Sequence, residues 1–185
     1  MAGASKPLEE NFMRTVICAI AAVLLATPTA FAQSKAPTDA EIAAIVVAAN
    51  QVDIDAGKLA ASRAGNSEVK EFANRMVTDH TGVNKSATDL VTKLKVKPEE
   101  NETSKSLKQS GASTLKRLEG LKGADFDKAY IDNEVTYHQT VLDAVDKTLI
   151  PNAKNQELKD LLVKVRPAFV AHLDHAKKIQ SSLKK

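Results

Sequence analysis

Four long segments of this chain repeat apolar residues every three or four positions, and three of those stripes carry a histidine near mid-length. Such spacing puts one face of a helix in a core. The inward residues are Ile42, Val46, Ala49, Asp53, Ala56 and Ala60 in the first segment, then Val69, Phe72, Met76, His80, Val83 and Ala87 in the second. The third holds Phe126, Tyr130, Glu134, His138, Val141 and Val145, and the fourth Leu158, Leu162, Val165, Phe169, His172 and Ala176. A polar side chain in a core is costly unless it is paired or ligates something. His80, His138 and His172, with Asp53 and Glu134, are therefore the candidate site.

The turns fix the depth of these residues. Asp53 lies 12 residues before Gly65 and His80 lies 13 after Ser67. Antiparallel helices rising ~1.5 Å per residue bring two such positions level. His138 lies 13 before Pro151, and His172 lies 17 after Asn155, about one turn further out. Glu134 is one turn from His138 on the same face.

Helix ends read as follows. Thr38 or Asp39 caps the first helix, with Glu41 in its first turn. Gly65 suits a left-handed end and Ser67 the next N-cap. Pro98 and the polar stretch to Ser106 form a crossover, and a shorter, weaker helix around Leu107, Leu115 and Leu118 ends at Gly120 and Gly123. Asp125 or its neighbour opens the third long helix, Pro151-Asn152 makes the next turn, and the last helix starts near Gln156. Pro167 removes one donor inside that helix, as a kink or as a tolerated bend.

The expected fold is all-α: a ferritin-like up-down four-helix bundle with one crossover and a short extra helix. The competing architecture is an extended hairpin assembly that dimerises to complete its core.

Residues 1–32 read as a signal peptide, with Met13 the expected true start. Arg14 precedes an apolar run from Val16 to Ala26, and Ala30-Phe31-Ala32 matches a small-x-small cleavage site before Gln33. The run is too short for a permanent span, so no transmembrane anchor is expected after cleavage. Residues 33–185 then form a single domain. Cys18 is the one cysteine and would leave with the leader, so disulfides and thiolate ligands are excluded. The expected location is periplasmic or secreted, with cell-envelope association open.

The net charge is +3, and it stays +3 after loss of Lys6, Arg14, Glu9 and Glu10. Its lysines are scattered and there is no tryptophan, whereas a nucleic-acid surface calls for a concentrated basic face with aromatics. Nucleic acid is not an expected partner. No glycine-rich phosphate loop, G-x-S-x-G elbow, H-E-x-x-H pair or nucleophilic cysteine is present, so no reaction is assigned.

Two readings of the cluster stay open. Three imidazoles with one or two carboxylates suit one divalent transition metal, zinc or iron. A metal-free network of histidines bonded to carboxylates satisfies the same residues, in an envelope or stress-related interaction protein. Asp79 points about 100° off the stripe and is assigned a surface interaction. Asn50, Asn84 and His175 are assigned to the stripe's edge. Tyr130 and Tyr137 are expected to fill space and hydrogen-bond through their hydroxyls.

The segments Asn50 to Ala60, Val69-Lys70-Glu71-Phe72-Ala73 with Met76-Val77-Thr78-Asp79-His80, Phe126 to Tyr130, Glu134-Val135 with His138, and Pro167 with His172-Leu173 and Ala176 carry a family resemblance. The chain resembles a secreted bacterial domain-of-unknown-function family of ferritin-like helical bundles, often labelled predicted outer membrane protein. The resemblance implies the bundle, export and the importance of His80, His138 and His172, and it implies no activity. Position 53 is aspartate where relatives commonly carry glutamate, and Tyr137 stands where relatives often carry aspartate. Glu134 and His138 form the one pair comparable to those of iron-oxidising ferritins, too few carboxylates for a dinuclear ferroxidase centre.

Overall fold

The computed structural model describes residues 35–184. The expected leader, residues 1–32, lies outside them. The described residues form helices α1 (Asp39–Arg63), α2 (Ser67–Lys93), α3 (Glu102–Glu119), α4 (Gly123–Ala144) and α5 (Gln156–Ser182). Among them no helix is long and apolar enough to cross a membrane.

Each start follows from local chemistry. Thr38 accepts from the Glu41 amide while the Glu41 side chain accepts from Thr38, a reciprocal capping box that satisfies two free donors. Asn66, not Ser67, caps α2 by accepting from the Glu68 and Val69 amides. Asn101 caps α3, and Asn155 caps α5. Gly65 is not left-handed; among glycines of the described residues that conformation belongs to Gly123. The Gly65 turn is tied down differently. Asp127, buried at the start of α4, accepts from the Gly65 and Asn66 amides at 3.1 and 2.8 Å. Asp39 does the same at the other end, accepting from the Lys154 and Asn155 amides.

These contacts set the topology. The start of α4 meets the end of α1, and the start of α1 meets the end of the α4 segment, so the two are antiparallel. Glu68 at the start of α2 accepts from Ser182 at the end of α5, and Lys93 at the end of α2 pairs with Glu157 at the start of α5. Helix α1 packs on α2, α2 on α5, α5 on α4 and α4 on α1, while α3 lies outside against α1. The chain thus leaves α2 at one end and returns along α3 before α4 begins at the other.

Helix α3 runs 18 residues and is more than a weak connection. It packs on the α1 face that carries Val52. Two glycines permit close approach. A Cβ on Gly57 would stand 3.0 Å from Val77 Cγ2 and 3.1 Å from the Ala73 carbonyl, and one on Gly111 would stand 2.7 Å from Val52 Cγ2.

One core cluster gathers Phe72, Met76, Phe126, Tyr130 and Ile131 near the Asp127 end. Another gathers Ile42, Val46, Leu149, Leu158 and Leu162 near the Asp39 end. Full burial of such a side chain contributes ~1.5–3 kcal/mol. The site lies between the two. Helix α4 does not stop at its last α-helical residue: a π-helical turn, Val145–Leu149, and one further turn, Ile150–Asn152, carry it to the bend. Pro167 sits on the exposed side of α5 within one continuous helix.

Candidate metal centre

Asp53 of α1, His80 of α2, Glu134 and His138 of α4, and His172 of α5 are all buried, none more than 3% exposed. They meet. The imidazole centroids of His80, His138 and His172 are 5.2 to 5.5 Å apart in each pairing. One donor atom from each of these three lies within 4.8 Å of the others, and the same holds for Asp53, Glu134 and His138. His138 belongs to both groups. His172, expected about one turn further out, lies beside the other two rings.

Hydrogen bonds at the periphery decide which nitrogen of each ring faces inward. Asn50 donates its amide to the Val46 carbonyl, which turns its Oδ1 toward His80 Nδ1 at 2.7 Å. That oxygen only accepts, so His80 carries its proton on Nδ1. His138 Nδ1 is 3.1 Å from the Glu134 carbonyl and is the donor for the same reason. His172 donates through Nε2 to Asp79 Oδ2 at 2.8 Å. The opposite nitrogens, His80 Nε2, His138 Nε2 and His172 Nδ1, are buried without a hydrogen-bond partner, as are both Asp53 oxygens and Glu134 Oε2.

Asp53 Oδ2 approaches these inward nitrogens, 2.9 Å from His80 Nε2 and 3.4 Å from His138 Nε2. Neither approach has the alignment of a hydrogen bond. A neutral His80 would set a lone pair against a carboxylate, so the arrangement calls for a positive charge between them.

The electrostatics sort the two acids. Burial pushes the Asp53 carboxyl up, but His80 and His138 outweigh it and hold the group below its ordinary value. Burial and the Asp53 charge together push Glu134 well above its ordinary value. The two acids are thus pushed in opposite directions, Asp53 toward its anion and Glu134 toward its neutral form. Burial lowers His138 against the pull of Asp53, and lowers His172 to about 4 against its bond to Asp79. Neutral imidazole is the form that ligates.

Several neighbours differ from the expectations. Asn50 is a buried partner that orients His80, not an edge residue. Asp79 turns across to α5 and holds both His172 and Arg75. Asn84 is half-buried, with its Oδ1 unpartnered. Tyr137 bonds the Ala49 carbonyl at 2.8 Å, as expected of a tyrosine. Tyr130 fills space, but its hydroxyl has no partner. Burial, with Glu134 and Asp53 nearby, pushes that phenol well up. His175 stays outside the centre, edge-on to Phe72 at 5.3 Å. Phe169 stacks flat on His80, with centroids 5.3 Å apart and planes 8° from parallel, and fixes the ring.

The arrangement can hold a cation: three inward lone pairs, one anionic carboxylate, and ring orientations set by outer hydrogen bonds of the kind that support ligating histidines. No curated protein and no solved structure matches the chain. Residues 25–179 match the domain of unknown function DUF4142, which spans the whole site and most of the sequence, and the chain belongs to that family.

Proposed function

We propose that this protein binds one divalent transition metal, zinc or iron, through His80, His138 and His172 with Asp53, and with Glu134 as a further oxygen donor. The observation that carries this reading is the shared polarity of the three rings. Each has its outer nitrogen bonded to an acceptor and its inner nitrogen bare. A nitrogen-rich set with carboxylate suits both metals, and a cation beside Asp53 compensates its buried charge. The ring of antiparallel helices with α3 on its flank is read as a ferritin-like bundle with one crossover. The leader pattern of residues 1–32 supports export to the periplasm or beyond. No reaction is assigned.

A metal-free reading is favoured by one distance, the 2.9 Å between His80 Nε2 and Asp53 Oδ2. There His80 is an imidazolium paired with Asp53, and the protein acts at the envelope by interaction alone. The test is metal content by inductively coupled plasma mass spectrometry, on protein purified from the periplasm, beside His80→Ala and His138→Ala. Near-stoichiometric metal in the wild type, lost in both variants, supports the centre. Wild-type content no higher than that of the variants overturns it. Chelation lowers the melting temperature in the first case and leaves it unchanged in the second.

A further inference from the structure

A cavity of about 140 Å³ opens directly beside the histidines, and the metal reading uses only the end formed by His80, His138 and Asp53. Its walls are Ile45, Val46, Leu149, Leu162, Val165 and Phe169, while His80, His138 and Asp53 form one end. The π-helical turn contributes to it: Val145 and Leu149, the first and last residues of that turn, both line the space. π-turns inside α-helices recur at functional sites, and this one widens α4 where the cavity lies. A second, larger hollow of about 570 Å³ runs between α3 and the α1–α4 face. The two adjoin, with Asp53, Thr103, Leu107, Tyr137, Thr140 and Val141 lining both.

We propose that the inner cavity is a binding site for a small, neutral, predominantly hydrocarbon molecule of about six non-hydrogen atoms. Size sets the upper limit: an apolar cavity of about 150 Å³ stays dry and takes up benzene or xenon. Charge sets the class. The walls offer no cation to an anion, Asp53 faces the same space, and an ion moved into such walls loses its hydration without replacement. In the chelated protein any single polar atom of the ligand belongs at the His80 end, where His80 Nε2 and His138 Nε2 have no hydrogen-bond partner. The site rests on its walls, so it exists with or without the proposed metal.

Benzene is the probe. It is titrated into the purified protein, once chelated and once loaded with zinc, and the methyl resonances of Ile45, Leu162 and Val165 are followed by NMR. Saturable shifts confined to the cavity methyls are expected in both forms. Ala144 and Val165 both line the space; Ala144→Leu and Val165→Phe each fill it, and each is expected to weaken benzene about tenfold or more, a loss of about 1.4 kcal/mol. Circular dichroism checks that both variants stay helical. Non-saturable shifts in the wild type, or unchanged affinity in whichever filling variant stays folded, overturn the proposal. Zinc content is measured separately, so benzene binding without metal sinks the metal centre and spares the cavity, and metal without benzene binding does the reverse.

Discussion

His80 Nε2 stands 2.9 Å from Asp53 Oδ2 without the alignment of a hydrogen bond, while its Nδ1 is held 2.7 Å from Asn50. Asn50 thereby sets the tautomer: with the proton drawn to Nδ1, Nε2 presents a lone pair to the space it shares with Asp53, His138 and His172. The outer bond on one helix prepares the inner donor on another.

Replacing Asn50 tests this directly. Asn50→Leu keeps the branched skeleton, removes the acceptor and frees the ring to hold its proton on either nitrogen. Zinc affinity of the purified protein should fall ~10–100-fold, as for other outer partners of ligating histidines. Circular dichroism should be unchanged. Unaltered affinity would mean that Phe169 stacking alone orients His80.

Glu134 gives a test with opposite signs. Burial and the Asp53 charge push its carboxyl well above the ordinary value, which favours the neutral form in the apoprotein. Glu134→Gln keeps the size and the neutral form of the side chain and should move the chelated protein's urea midpoint little. The same change removes an oxygen donor and should weaken zinc. A large loss of stability in the chelated variant would mean that Glu134 is charged in the apoprotein.

Much of this site was legible before any coordinates. Asp53 and His80 lie nearly equidistant from one tight turn, and an antiparallel pair must bring them level. What a single inward direction could not capture was α2 packing on two neighbours at once. Asp79, off the stripe that faces α1, faces α5 instead and meets His172. Asn50 lies three positions before Asp53 on the same face, yet its role depends on a side chain 30 residues away. The Gly65 turn was misread because its clamp, Asp127, is distant in sequence. Nothing in the apolar spacing marks Gly111, whereas its missing side chain is what lets α3 approach Val52.

Gly111→Ala should therefore destabilise the protein despite the better helix propensity of alanine. The added Cβ would come within 2.7 Å of Val52 Cγ2 and 2.9 Å of Cγ1, inside any real contact. Overpacking of this kind costs about 1–3 kcal/mol. Val52→Ala should restore much of the loss in the double variant, and a thermodynamic cycle by urea denaturation reads the coupling. Additive effects would show that α3 is seated by other contacts.

The pH dependence follows from His172. Burial holds its folded value at about 4, against an ordinary 6.5. Between those values the unfolded chain binds a proton that the folded chain refuses, so this group's contribution is lost as pH falls from 6.5 toward 4. One such proton sets a slope of at most about 1.4 kcal/mol per pH unit. The groups facing it are Asp79, which opposes the shift, and His80 and His138, which reinforce it. His138 is lowered too and adds in the same direction. Glu134, raised in the fold, acts oppositely and gains stability as pH falls over this range. Chelated wild-type protein and His172→Gln are therefore compared by urea denaturation at pH 7 and pH 5. The wild type should lose more stability between the two than the variant does, since only His172 differs between them. Equal losses would show that His172 takes up its proton within the fold, with Asp79 outweighing the effect of burial.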